Sequence, residues 1–469
     1  MFLWKKYNAS ILTFVSLLFY FFFAYFLDRT EFSKLLFLWS FLFISAYLLW
    51  KNCKSNFIFL ASVSILFRLV FLFAIPNLSQ DFYRFIWDGR MILEGLNPYL
   101  SLPETFIEQR NFPINQATEL YKGMGSMNGS HYTNYPPINQ VCFFIAALIA
   151  NKSIIGSVVV MRIIIILADI GILFFGKKLL ESLNLSIHNI FLYALNPFII
   201  IEMTGNLHFE PVMLFFFIWS LYMLHHKKWI WSAILLAYSV SVKLIPLLFL
   251  PLFYKSFLKE NSIIKGHLKL LAFYVVVFST ILILFLPFYS PQLVSNYSNS
   301  VGLWFRNFEF NASFYYLARE IGYLFRGYNE IAVIGKIMPI LTILFLIGIS
   351  FFRKNKSTLE LITAMLFGLS FYYFTTTTLH PWYLATLIIL AVFTKYRFPI
   401  IWSVVIILSY QAYANQPWKE NLWFVGLEYA IVYGYLLWEL FIKKPTRKLS
   451  GKNCYEKEKE SGFTTTAQI

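Results

Sequence analysis

Residues 79–90 read SQDFYRFIWDGR and follow an apolar run that ends near Ile75. Asp81 and Asp88 are seven residues apart, close to two turns of a helix, so both acids share one face. Phe82, Phe85, Ile86 and Trp87 surround them, which makes the segment amphipathic and sets the acids at a membrane boundary. A carboxylate held there can accept a proton from a hydroxyl nucleophile. Asp81 and Asp88 are therefore the catalytic candidates, and Arg84 and Arg90 of the same segment are candidates for binding substrate.

Other polar residues stand out by where they interrupt apolar sequence. Lys243 lies in YSVSVKLIP, between apolar runs 229–242 and 244–254. Fourteen helical residues span about 21 Å, short of a bilayer core of roughly 30 Å. Two half-helices meeting at a cavity, broken at Pro246, explain the pattern. A lysine at such a break either binds an anion, for which a lipid phosphate is the natural choice, or pairs with a carboxylate on a neighbouring helix. His208 and Glu210 occupy a short turn, TGNLHFEP. His380, Trp382 and Tyr383 occupy another, TTTTLHPWY. Tyr135 lies in HYTNYPP and Arg306 in LWFRNFEFNASF. Trp87, Trp304 and Trp382 suit either sugar stacking or an interfacial aromatic belt. Arg68, Arg162 and Asp169 fall within apolar runs and read as a structural ion-pair network. Asn311 begins an N-A-S sequon, a pattern common by chance.

The elements that must position these residues are membrane helices. Of the 469 residues, 59% are hydrophobic and 20% aromatic, more apolar surface than a soluble fold can bury. The runs are long and lack strand alternation, which argues for an all-α polytopic membrane protein over a β-barrel. Spans are expected near 10–27, 35–50, 57–75, 154–176, 187–203, 209–224, 229–242, 244–254, 268–288, 331–352, 358–375, 381–394, 398–413 and 422–442. With the N-terminus inside, most of the 39 Lys and Arg fall on the inner side. That distribution accounts for the net charge of +16 without nucleic acid. No cleavable signal pattern opens the chain, so the first helix reads as an anchor. Residues 137–151 are short for a span and are placed as a helix at the outer face. Residues 1–442 then form a single transmembrane domain with external loops 76–152 and 289–330. The stretch 443–469 is a polar, disordered cytoplasmic tail. Both termini are cytoplasmic, and the polar motifs converge on the outer side. Three scattered cysteines offer neither a disulfide framework nor a metal motif.

The order and common sidedness of DFYRFIWDGRMILEGLNPY, NYPP, LNPF with GNLHFEP, KLIPLLFLP and HPWY resemble the GT-C glycosyltransferases. The nearest likeness is to the bacterial polyprenol-phosphate-mannose-dependent mannosyltransferases of glycosyltransferase family 87 and the related GPI mannosyltransferases. It covers roughly residues 76–385. It implies a GT-C-like fold of about 12–14 transmembrane helices, with juxtamembrane helices in the first external loop. It also implies transfer of a sugar, mannose by the likeness, from a polyprenyl-phosphate donor to a hydroxyl of a glycan or lipid acceptor. The reaction would occur at the external face of a bacterial inner membrane. The chain departs from the family in its D-x6-D spacing and in carrying His208 and Glu210 where many relatives have an Asp-Glu or His-Asp pair.

On this reading Asp81 is the first choice of base and Asp88 the second. One base and no evident nucleophile imply a single inverting displacement. Lys243, Arg306 and His380 are the expected cations for the leaving phosphate. The cofactor-like molecule implied is the donor itself, and a divalent metal stays open without support in the residues. The expected partners are membrane lipid, the donor and the acceptor. Two other classes share some of these features: a polyprenyl-linked glycan ligase or polymerase, and a secondary transporter, whose half-helices would resemble those around Lys243.

Overall fold

A computed structural model describes residues 2–258, 262–306, 308–415 and 418–443, with side chains described from residue 9 onward and not at 304–306. Among the described residues the fold is all-helical, with one isolated bridge between Phe310 and Thr378 in place of any strand. The expected cytoplasmic tail lies almost wholly outside the described residues.

The fourteen expected spans resolve into three kinds. Among the described residues seven helices are long and apolar enough to cross a membrane: Ala9–Phe26, Phe32–Cys53, Ile154–Ser182, Ile263–Phe288, Ile331–Phe352, Thr358–Thr375 and Leu422–Ile442. The run 187–203 forms a pair, Ile187–Ala194 and Ile199–Gly205, bent by 60°. Pro197 lies at the bend, where it lacks a backbone donor, and Asn196 Oδ1 accepts the Phe198 amide at 3.0 Å. The remaining runs fold as apolar helices of 10–17 residues. Of the 12–14 transmembrane helices expected, seven among the described residues, or eight with the bent pair, are long and apolar enough to cross by themselves. The physical reason is length, since a helix rising 1.5 Å per residue needs about 20 residues to cross.

Several long helices keep apolar faces uncovered. Leu268, Leu271, Val275 and Leu282 are each more than half exposed along Ile263–Phe288. A contiguous apolar face of this length is stable only against lipid, and the chain is an integral membrane protein.

The interior is tied by buried cations. Arg68 Nε meets Asp169 Oδ2 at 2.7 Å, and Tyr193 donates to the other carboxylate oxygen at 2.9 Å. Arg162 does not join this pair. It donates to the carbonyls of Leu72, Thr204 and Gly205 at 2.8–3.0 Å. It thereby fixes the end of the bent pair, just before His208, to the chain leading into the first loop.

Both loops expected on the outer side are helical. The first contains Asp81–Leu93, Ala117–Gly129 and Pro137–Ala150. Asp81–Leu93 packs so closely on Pro137–Ala150 that a Cβ at Gly89 would lie 2.2 Å from the Phe143 carbonyl oxygen. Only glycine permits that approach. The second loop contains Pro291–Arg306 and Phe314–Arg326. The Phe310 amide donates to the Thr377 carbonyl at 3.2 Å, and the Leu379 amide donates to the Phe310 carbonyl at 2.8 Å. The second loop is thereby laced to the turn that carries His380. Asn311 of the sequon is fully buried and donates to Glu428, so its amide faces protein.

Candidate functional site

A cavity of about 480 Å³ opens where the two loops meet the short helices. Asp81, Tyr135, His208, Glu210, Lys243, His380, Trp382 and Tyr383 line it together. Eight of the twelve residues singled out by sequence therefore share one enclosure, although they span three hundred positions of the chain.

Asp81 opens its helix at the cavity wall. Asn128 Nδ2 donates to its Oδ1 at 3.3 Å. Burial pushes the carboxyl above its usual range, while the Lys243 charge and the Asn128 hydrogen bond pull in the opposite direction. A carboxylate tuned upward toward neutral pH is a better general base than an ordinary one.

Lys243 follows Trp229–Val240, which stops at Val240, and precedes the 3-10 segment Ile245–Phe253. The expected break is present. The Ile138 amide donates to the Ser241 carbonyl at 2.9 Å, which anchors the break to the first loop. Lys243 Nζ lies 2.5 Å from Glu210 Oε1. The carboxylate partner weighed against phosphate binding is thus present, yet the lysine keeps 18% of its side chain exposed and still borders the cavity.

His208 and His380 flank one indole. His208 stacks on Trp382 with ring centroids 4.0 Å apart, and His380 stacks on it at 4.5 Å, nearly parallel. Leu207, with φ of +60°, is a non-glycine residue in left-handed backbone and turns the chain into His208. Burial, with Lys243 nearby, lowers the His380 imidazole to about 3. Burial also holds His208 well below its usual range, with Lys243 and His380 adding to the effect. Burial therefore favours the neutral form of both rings, against the cationic role expected of His380. As a neutral ring it can still exchange hydrogen bonds with a substrate.

Asp88 lies elsewhere. It is fully buried, pairs with Arg84 Nε at 2.8 Å and accepts from Gln140 at 3.1 Å. It does not border the cavity, which removes the geometric basis for its role as second base. Two turns along a helix share a face, but the neighbouring Pro137–Ala150 covers the Asp88 end. Arg90 is likewise turned away, donating to the Asn115 carbonyl and to Gln116. Trp87 is core rather than a stacking platform. The side chains of Trp304 and Arg306 lie outside the described residues.

Sequence reading missed several residues at the cavity. Arg29, in the turn after the first helix, lies over the rings of Tyr413 and Trp418 at 5.2 and 5.1 Å. In the expected topology Arg29 is a basic residue on the outer side of a positive-inside chain, and that was the available signal. Asn128 gave no signal at all, since only the packing of Ala117–Gly129 brings it to Asp81. Glu202 lies behind the cavity wall and is fully buried. It accepts from Tyr410 at 2.6 Å, and its other oxygen is 3.8 Å from His208 Nε2. Among the described residues no three His, Cys, Asp or Glu side chains are grouped to hold a metal ion.

Residues 30–258 match the family model described as alpha-(1->6)-mannopyranosyltransferase, N-terminal domain, of the MptA/B family. That stretch contains Asp81, Tyr135, His208, Glu210 and Lys243, while Arg29 and the His380–Trp382–Tyr383 turn complete the cavity from outside it. A search of curated proteins finds no match. The expected motif order, the helical membrane architecture and the family match agree: residues 30–258, just under half of the chain, carry the N-terminal domain of the MptA/B family of GT-C membrane mannosyltransferases.

Proposed function

We propose that the chain transfers mannose from a polyprenyl-phosphate donor to a glycan or lipid hydroxyl at the external membrane face, with Asp81 as general base. The observation that carries this reading is the shared cavity, in which one half-buried carboxylate faces two cations and a stack of neutral aromatic rings. The acceptor O–H gives its proton to Asp81 while its oxygen attacks the anomeric carbon. The bond from that carbon to the phosphate oxygen breaks, and its electron pair leaves with the phosphate. The products are a mannoside, a lipid phosphate monoester and a protonated Asp81. A single displacement inverts the anomeric centre.

The leaving phosphate gains negative charge, so cations must face it. Lys243 is half-committed to Glu210. Arg29 makes no hydrogen bond through its guanidinium among the described residues and rests on two aromatic faces. We assign the phosphate to Arg29 together with Lys243. Arginine offers a planar fork that matches phosphate oxygens. Trp418, 61% exposed beside it, suits a mouth open to lipid headgroups. The basic inner loops support cytoplasmic termini and an external cavity.

The test is transfer from polyprenyl-phosphate mannose by membranes containing Asp81→Asn. The expected result is a loss of about 100-fold or more with normal protein levels. Full activity would remove Asp81 as the base. A polyprenyl-diphosphate glycan serving as the better donor would instead favour a ligase or polymerase.

A further inference from the structure

Beside the main cavity lies a second one of about 210 Å³. The two share Met127, Asn128, Asn134, Tyr135 and Phe308 as a common wall. The second is smaller than the roughly 300–1,000 Å³ of sites for drug-sized ligands and is of a size for one pyranose ring.

Its chemistry differs from its neighbour's. The main cavity holds Asp81, Glu210, Lys243 and Arg29. The second is lined by His131, Tyr132, Asn134 and Ser300, with Leu303 closing one side. Its one charged residue, Arg84, is neutralised by Asp88. A neutral lining of amides, hydroxyls and tyrosine rings favours a neutral polyhydroxyl ligand over an anionic one.

Arg84 ties the second cavity to the Asp81 helix. The residue is 4% exposed. Its Nε binds Asp88, and its Nη1 binds the Asn128 and His131 carbonyls at 2.6 and 2.9 Å. Nη2 has no hydrogen-bond partner among the described residues. A buried donor left unsatisfied costs about 1–3 kcal/mol, and Nη2 is covered, so a ligand hydroxyl meets it only once the side chains over it shift.

The link to the reacting centre is Asn128. Its carbonyl accepts from Arg84 at the second cavity, and its side chain donates to Asp81 at the first. A sugar ring seated against Arg84 would extend a hydroxyl past Asn128 toward the base.

We infer that this second cavity is the acceptor subsite, binding one neutral pyranose ring of the acceptor while the donor occupies the main cavity. The inference rests on the mannosyltransfer reading of the main cavity. It predicts that the acceptor is recognised by its terminal sugar alone, through Arg84 and the amides of Asn128 and Asn134.

The full chain in proteoliposomes tests this, with polyprenyl-phosphate mannose as donor and methyl α-mannopyranoside as acceptor probe. Leu303→Trp fills the cavity and His131→Ala removes a polar wall group that borders the second cavity alone. Both are expected to raise the acceptor KM about 10-fold or more, with donor KM and the slow release of mannose to water within about twofold of the parent. Equal rises in both KM values, or no rise in either, overturn the inference. If the parent itself transfers nothing, the mannosyltransfer reading fails, and saturation-transfer NMR of the same probe judges the subsite alone. Signal lost in Leu303→Trp upholds a sugar site, and signal unchanged refutes it. Leu303→Ala, which enlarges the cavity, guards against misfolding and is expected to keep the donor parameters.

Discussion

Lys243 Nζ and Glu210 Oε1 meet at 2.5 Å in the wall of the main cavity, the carboxylate only 2% exposed. Lys243 comes from the break between two half-length helices, and Glu210 opens the helix Glu210–His225. The pair therefore closes the cavity mechanically while leaving one face of the lysine toward the ligand.

Removing the lysine alone strands a buried carboxylate. Lys243→Met is expected to lower unfolding stability by about 3 kcal/mol, as broken buried pairs do. The double variant Lys243→Met with Glu210→Gln is expected to recover most of it. Thermal unfolding in detergent measures both. Equal stability of parent and single variant would show the pair to be dispensable for the fold.

Asp81 must be ionised to accept a proton, so kcat/KM falls as pH drops through its pKa. Burial raises that pKa, and the acidic limb is expected above the ordinary aspartate value. Asn128 stabilises the ionised form, so Asn128→Ala moves the limb to higher pH. A pH–rate profile of the two proteins checks the direction. His380, already neutral above about 3, contributes no limb near pH 6–7.

Asp88 and Asp81 should separate by phenotype. Asp88→Asn leaves the Arg84 charge buried without its counter-ion and is expected to cost about 3–5 kcal/mol of stability. Asp81→Asn relieves a buried carboxylate, so it should fold at least as well as the parent while losing turnover. Unfolding curves beside turnover per folded molecule distinguish them. The reverse pattern would exchange their roles.

Arg29→Ala is expected to raise the donor KM about 10-fold or more, with Arg29→Lys recovering part of the loss. Acceptor KM should stay near the parent value. An unchanged donor KM would leave Lys243 as the sole phosphate contact among the described cations of this cavity.

How much of this was legible in the sequence varies by residue. The membrane class follows from composition, because no aqueous fold buries so much apolar surface. The break at Lys243 follows from run length and Pro246. The shared face of Asp81 and Asp88 follows from helical periodicity, but their different fates do not. Periodicity gives direction about a helix axis, whereas the neighbour covering each turn is set by packing, here the contact of Gly89 with Phe143. Helix shape needed the structure as well, since an apolar run can fold as one long helix, a bent pair or a short helix.

The sequence by itself thus determined the solvent, the helices, the family likeness and most of the chemistry-bearing residues, all encoded in local runs and motifs. Tertiary structure decided which of those residues meet. It joined Asp81 to Asn128, Lys243 to Glu210 and Asp88 to Arg84, and it brought Arg29 to aromatic rings nearly four hundred residues away. Such pairings depend on contacts between helices remote in sequence, and no local pattern carries that information.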